Sequence, residues 1–438
     1  MTEETMKPTP LFLAMSLILL CWTLAAHADR VDDVVKAQMQ KRHIPGLSVA
    51  VVRDGKPVLM RGYGLADVER NVRASPDTVY ELGSITKQFT AMAILMLVEE
   101  GKLGLDDKIR AFLSDLPAAW SEVTVRNLLT HTSGIKNYTD IPDITKRWRN
   151  DYTHEEIIKL VSGDPLEFAP GEKWAYSNTG YFLLGMILEK VSGKPYGAFL
   201  EERIFKPLGM TSTQVNDLGA IIPNRACGYT LADNSLRNAD YASMTWPFAA
   251  GVLVSTVRDM AKWDAALTTG RLLKPASYRQ MWTPVTLKDG KKAEYGFGWA
   301  ISDYQGHKFI SHNGGIPGFV TTIDRFVDDK LTVIVLTNSD VANPDTIAKE
   351  VAGVYVPALT PIAPKPIADK DAQTTAHLRQ TLEALAEDKA DPAAFTPEAQ
   401  KALFPDRAKQ AAGFLKTLGP LKSFTLLEEK AEADHHHY

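Results

Sequence analysis

Apolar positions recur with three different spacings along this chain of 438 residues. From Arg30 to Arg42 they fall at Val31, Val34, Val35 and Met39, which predicts a helix with one buried side. Gly46 to Arg53 and Pro57 to Tyr63 are strand-length runs, and Arg53-Asp54-Gly55-Lys56 between them signals a hairpin. Ala91-Met92-Ala93-Ile94-Leu95-Met96-Leu97-Val98 has no polar break, so it predicts a helix buried on all sides that ends near Gly101. From Gly104 to about Pro247 helix-like segments and loops dominate. They include Val125 to Leu129, a helix opened by the capping-box pattern Thr153-His154-Glu155-Glu156, and an apolar helix from Tyr181 to Val191. Ala250 to Leu267 runs from a strand-like start into a helix. Strand character returns at Tyr295 to Ile301, Lys308 to His312, Phe319 to Phe326 and Leu331 to Asn338, with Asp328-Asp329 closing the last hairpin. Strands at both ends with helices between predict an α/β (α+β) fold, an antiparallel sheet flanked by helices and interrupted by a helical insertion.

The chain divides further. Four prolines between Val356 and Lys370 mark 357–370 as a semi-rigid linker. Beyond it, 371–438 is expected to be a small C-terminal α+β part, with helices over about Asp371 to Glu387 and Thr396 to Leu418. Its one strand, Ser423 to Glu428, has no predicted partner, so this part reads as incomplete. His435-His436-His437 reads as a chance run, and no metal site is expected. At the other end, the apolar stretch Leu11 to Ala26 with Lys7 before it and Ala26-His27-Ala28 after it has the layout of a secretory signal over 1–28. The main domain is then 29–356, with its insertion at about 104–247.

Composition narrows the options only a little. With 45% apolar and 23% charged residues the chain is an ordinary globular one, and a net charge of −4 supplies no basic field for a nucleic-acid partner. Of two cysteines, Cys21 lies in the leader and Cys227 is left alone, so no internal disulfide is expected. A secreted or periplasmic protein with no stable membrane anchor after signal cleavage follows from the leader.

Three polar elements carry the chemistry. The first is Ser84 with Lys87, at the opening of the buried helix. Residues three apart share a helical face, and the N-terminal N–H groups there favour negative charge. A hydroxyl needs a base to become a nucleophile, and an amine made less basic by burial can serve. S-x-x-K is weak alone, with roughly two chance matches expected at average composition. The chain has a second, Ser133 and Lys136, but no helix aligns that pair. The next element is Tyr176-Ser177-Asn178, a phenol placed for proton transfer and an amide placed to bind substrate, or, more plainly, an Asn turn capping the helix near Tyr181. The last is His312-Asn313-Gly314-Gly315, where glycines allow close approach of a substrate, or simply a hairpin turn. No serine sits in a G-x-S-x-G elbow, and His154-Glu155-Glu156 lacks the second histidine of a zinc protease motif.

In order, the three elements resemble the motifs of the serine β-lactamase and penicillin-recognising superfamily: S-x-x-K, Y-x-N and K-T-G or H-x-G. The resemblance is greatest to the class C-type branch, which also includes D-alanyl-D-alanine carboxypeptidases, D-aminopeptidases and esterases. Thr124 to Gly134, Pro170 to Tyr181, Ile204 to Met210 and Gly251 to Thr256 match that branch as well. The resemblance covers about Val31 to Val356 and implies a β-lactamase-like fold. It implies that Ser84 is the acylated nucleophile, that Lys87 and Tyr176 share the acid–base work, and that Asn178 orients substrate and Lys87. It further implies an oxyanion hole from the amides of Ser84 and Gly315, a pocket at Gly314 lined by His312, which contacts a substrate carboxylate or Tyr176, and no cofactor. His312 stands where β-lactamases usually carry lysine, so a fixed positive charge is missing. That shifts the expected substrate toward esters, amides and D-amino-acid peptides. An efficient β-lactamase, or a penicillin-binding sensor acylated without turnover, stays open. The oligomeric state is not legible.

Overall fold

The computed structural model describes residues 27–438 except 233–234, 364, 418, 428–429, 433–434 and 438. The leader Leu11 to Ala26, with Cys21, lies outside the described residues. The chain forms two compact units, one of 27–141, 147–230 and 238–360, the other of 142–146, 231–237 and 361–438.

The first unit is built on seven strands. They are β1 (Gly46–Arg53), β2 (Lys56–Asp67), β3 (Val72–Arg73), β4 (Ala300–Tyr304), β5 (His307–Ile316), β6 (Phe319–Phe326) and β7 (Leu331–Thr337), in spatial order β4-β5-β6-β7-β1-β2-β3. All neighbours are antiparallel, and β1 and β7 pair from Leu47–Thr337 to Arg53–Leu331. The N-terminal hairpin therefore closes onto the C-terminal strands, and everything between β3 and β4 is an excursion from one sheet. The helices used below are α1 (27–42), α2 (Thr86–Glu99), α3 (Val125–Leu129), α4 (His154–Ser162), α5 (Asn178–Ser192), α6 (Val257–Thr269) and α7 (Pro344–Tyr355).

Pattern explains placement. On β1, Leu47, Val49 and Val51 join Val31 and Val35 of α1 and Ile347 and Val351 of α7 in one core, so these helices cover one face. Helix α6 covers the other, packing on β1 and β7. Helix α2 is buried at every position from Thr86 to Leu97, which is why its sequence shows no polar side. Thr153 and Glu156 cap α4 reciprocally, as its capping-box pattern predicts.

Several boundaries differ from the sequence reading. The segment around Tyr295 makes only a bridge to Ala300, and the strand there is Ala300–Tyr304. The glycine pair Gly314-Gly315 is not a hairpin turn. Strand β5 continues through it to Ile316, because Gly314 pairs with Thr321 and Gly315 with Val320. Ser84 precedes the α-helix, in a 3₁₀ turn over Gly83–Ile85. Helix α5 starts at Asn178 with Ser177 as its N-cap and no side-chain cap, so Asn178 is inside the helix and its amide is free for other work.

The second unit has helices α8 (Ala372–Ala386), α9 (Pro397–Leu403) and α10 (Asp406–Thr417). Ser423 to Leu427 is not a strand. Lys430–Glu432 and His435–His437 pair as two short antiparallel strands, so the histidine run serves as a strand.

Candidate active site

Three segments far apart in sequence meet at Ser84: the turn into α2, the N-terminus of α5, and β5. The turn can sit there only because of glycines. Gly83 has φ +54°, and a Cβ on it would lie 2.8 Å from the Gly315 amide nitrogen. A Cβ on Gly314 would lie 1.9 Å from the Leu82 carbonyl oxygen. Gly314 is therefore consumed by packing the strand against the turn and is buried, whereas Gly315 is exposed and faces the cavity at Ser84. Of the two glycines expected at the pocket, only Gly315 reaches it.

The hydroxyl of Ser84 holds two partners. Tyr176 donates its phenol to Ser84 Oγ at 2.8 Å, and Lys87 Nζ lies 2.9 Å from the same oxygen. Lys87 Nζ also donates to Asn178 Oδ1 and to the Ala250 carbonyl, both at 2.8 Å. It is fully buried, and among the described residues it has no carboxylate partner. Burial pushes its pKa well below the usual lysine value. Asn178 Oδ1 and a carbonyl can only accept. A neutral Lys87 therefore turns two N–H bonds to them and its lone pair to Ser84. The orientation of Asn178 is fixed by its Nδ2, which donates to Thr139 Oγ1 at 3.2 Å. Burial raises the pKa of Tyr176, only partly opposed by its bond to Ser84, so the phenol keeps its proton.

His312 keeps a ring contact with Tyr176, centroids 6.4 Å apart, but its hydrogen bond goes to Tyr295. Its Nε2 lies 2.8 Å from the Tyr295 hydroxyl and its Nδ1 2.6 Å from the Asn313 carbonyl. The carbonyl must accept, so Nδ1 carries the proton and the Tyr295 phenol donates to Nε2. Burial above all, with repulsion from Lys87 whenever that amine is protonated, lowers its pKa to about 3. The ring is neutral.

Two cavities flank these groups. One, of about 100 Å³, is lined by Ser84, Asn178 and Gly315 with the rings of Tyr138, Trp148 and Trp246. A larger one, of about 490 Å³, is lined by Tyr176, His312, Trp174 and Tyr295 with Glu294 and Asp345. Among the described residues no lysine or arginine lines it. Among the described residues no group of acidic, histidine or cysteine side chains could hold a metal ion.

Sequence reasoning left several site residues without a role. Asn137 Oδ1 accepts from the Asn178 amide at 3.0 Å, and Tyr138 N donates to Thr179 Oγ1 at 3.0 Å, so residues 136–139 brace the start of α5. Tyr295, the Ala250 carbonyl and His131, whose ring centroid is 4.4 Å from that of Tyr176, were also without a role. Ala250 and His131 border or lie in stretches that match the superfamily, but the bonds they make join segments no local pattern connects. Ser133 and Lys136 are not a site. Lys136 pairs with Asp164 at 2.8 Å, and Ser133 Oγ accepts from Ile135 N.

Several known proteins are similar to this chain. Penicillin-binding protein 4* of Bacillus subtilis (strain 168) is 31% identical over 67% of this chain and 68% of its own length. Protein flp of Staphylococcus aureus (strain N315) is 28% identical over 71% of this chain, which spans 63% of that protein. The crystal structure of D-amino acid amidase from Ochrobactrum anthropi SV3, complexed with L-phenylalanine amide, superposes with a TM-score of 0.66. It is 27% identical over 76% of this chain and 98% of the amidase chain. The family model described as Beta-lactamase matches residues 31–354, the whole stretch that carries the sheet, the turn at Ser84 and both of its partners. The chain belongs to the Beta-lactamase family and is a serine hydrolase of the β-lactamase superfamily.

Proposed function

We propose that the chain hydrolyses esters and amides of D-amino-acid substrates through an acyl-enzyme on Ser84. The observation that carries this is the double hold on Ser84 Oγ, by a buried lysine without a carboxylate partner and by a protonated tyrosine. Neutral Lys87 takes the hydroxyl proton as Oγ attacks the substrate carbonyl. The amides of Ser84 and Gly315 receive the developing oxyanion. Tyr176 gives its proton to the leaving oxygen or nitrogen and regains one from the Lys87 ammonium. Water then attacks the acyl-enzyme, its proton passes to the same pair, and the acid and free Ser84 are released.

The substrate class rests on charge. Neutral His312 supplies no cation, and Glu294 and Asp345 line the cavity on the Tyr176 side, which works against a leaving group with a free carboxylate. The aromatic walls at Ser84 suit an apolar acyl side chain. Likeness to an amidase whose name specifies D-amino acids supports the same class. The leader pattern supports export. No helix among the described residues is long and apolar enough to cross a membrane.

The test uses the purified chain and Ser84→Ala with p-nitrophenyl esters, D- and L-phenylalaninamide, a chromogenic cephalosporin and a fluorescent penicillin, with intact mass spectrometry. Turnover of esters and of the D-amide, absent in Ser84→Ala and with little cephalosporin cleavage, is expected. Rapid cephalosporin turnover would make the protein a β-lactamase. A persistent penicillin adduct with no turnover of any substrate would make it a sensor.

A further inference from the structure

Helix α3 ends in a Schellman motif. Thr132 N donates to the Asn127 carbonyl at 2.9 Å and His131 N to the Leu128 carbonyl at 3.4 Å. The residue between cap and exit in this motif adopts the left-handed conformation and is usually glycine. Here it is His131, with φ +58°. A β-carbon there is strained, and the side chain is buried at 1% exposure, so it gains nothing from solvent. Such a residue persists when its surroundings need it.

The surroundings are the Tyr176 segment. The His131 carbonyl accepts from Ala175 N at 3.0 Å, and His131 Nδ1 accepts from Ser177 N at 3.1 Å. One residue thus holds two alternate N–H groups of the strand-like stretch 175–177. Because a backbone N–H donates to Nδ1, the proton of the neutral ring sits on Nε2, and Nε2 has no hydrogen-bond partner among the described residues. The ring lies among aromatics, with centroids 4.4 Å from Tyr176, 4.6 Å from Tyr295 and 5.2 Å from Tyr181. The side chain does not line either cavity.

We propose that His131 is a positioning residue: its left-handed backbone and its Nδ1 acceptor hold the Tyr176–Asn178 segment so that the phenol reaches Ser84. It touches neither Ser84 nor the cavities, and acts through Ser177 and the ring of Tyr176. The inference rests on the reading of Ser84 and Tyr176 as the reacting pair.

Three variants separate positioning from folding. His131→Gly relieves the backbone strain and removes the acceptor. His131→Asn tolerates the left-handed conformation and can present an oxygen to Ser177 N. His131→Phe keeps a ring and lacks the acceptor. With a p-nitrophenyl ester, His131→Gly is expected to keep its melting temperature and to lose kcat by about 10- to 100-fold at nearly constant KM, in the range of other groups that orient reacting side chains. His131→Phe is expected to lose at least as much, and His131→Asn to recover most of the loss. A kcat for His131→Gly within about threefold of the parent, or a loss that appears only in KM, overturns the proposal. So does His131→Phe matching His131→Asn. A second measurement is independent of turnover: ¹⁵N spectra of histidine-labelled protein at pH 7 should show His131 protonated on Nε2 alone, and a proton on Nδ1 overturns the contact with Ser177. Full ester turnover by Ser84→Ala would remove the reading of Ser84 while the nitrogen spectrum still decides the His131 contact.

Discussion

The chain carries the same four-residue pattern twice, and the two copies do different things. At Ser84 the pattern straddles a 3₁₀ turn and the first turn of α2, so serine and lysine point the same way, and Lys87 enters a site with neutral acceptors. At Ser133 it lies in a loop. Gly134 takes φ +73°, packed so closely that a Cβ would lie 2.0 Å from the Phe168 carbonyl oxygen, and the chain turns away between the two residues. Ser133 is spent on its own loop, and Lys136 reaches a carboxylate at the half-exposed surface. Spacing places two side chains in register only when a helix lies beneath them. A lysine becomes a base when it is desolvated without a counter-charge, and with a carboxylate beside it the charge is simply met.

The comparison breaks most sharply at the serines. Ser84→Ala is expected to lower kcat/KM on a p-nitrophenyl ester by at least about 10³-fold and to abolish any covalent adduct, while Ser133→Ala stays within about threefold. Equal losses would end the distinction. Next come the lysines. Lys87→Arg keeps a cation that cannot give up its proton, so a fall of about 10²–10⁴ in kcat is expected, against no change for Lys136→Arg. The pH profile sharpens this. Activity of the parent falls as pH drops through the depressed Lys87 pKa, because the base gains a proton. His312, near 3, adds no step above pH 5. A parent whose rate rises only near the ordinary lysine pKa would contradict the desolvated amine.

A smaller effect is expected at His312→Lys, which adds the missing cation. The ratio of cephalosporin to neutral-ester kcat/KM should rise roughly tenfold, about 1.4 kcal/mol of new attraction for the carboxylate. An unchanged ratio would mean that the charge at 312 does not set selectivity. The smallest belongs to the surface pair. Asp164→Asn should shift unfolding free energy by no more than about 1 kcal/mol, since both groups are a third or more exposed and screened. A larger loss in a urea titration would show that Lys136 is held for more than its charge.

Much of the framework was legible. The hairpin at Asp54-Gly55, the buried helix α2 with its apolar run Ala91 to Val98 and the capping box of α4 follow from short-range rules, and the structure has each. The misreadings share a cause. Gly314-Gly315 looks like a turn because glycine pairs usually are one, yet here β5 needs glycine so that the turn at Leu82 and Gly83 can approach it. Asn178 looks like a cap, yet its amide is taken by Lys87 and Thr139. Tertiary contacts outvoted local preference at both.

The sequence alone determined what lies within a few residues: most of the helices and strands before residue 356, that Ser84 and Lys87 share a face, and that three polar motifs recur in a known order. Periodicity decides these, because side-chain direction repeats with backbone geometry. Only the tertiary structure decided that Lys87 is buried beside the Ala250 carbonyl 163 residues away, that Tyr176 reaches Ser84 across 92, that His312 answers to Tyr295, and that a strained His131 holds the tyrosine segment. Desolvation and long-range hydrogen bonds depend on which surfaces meet, and no spacing along the chain records that.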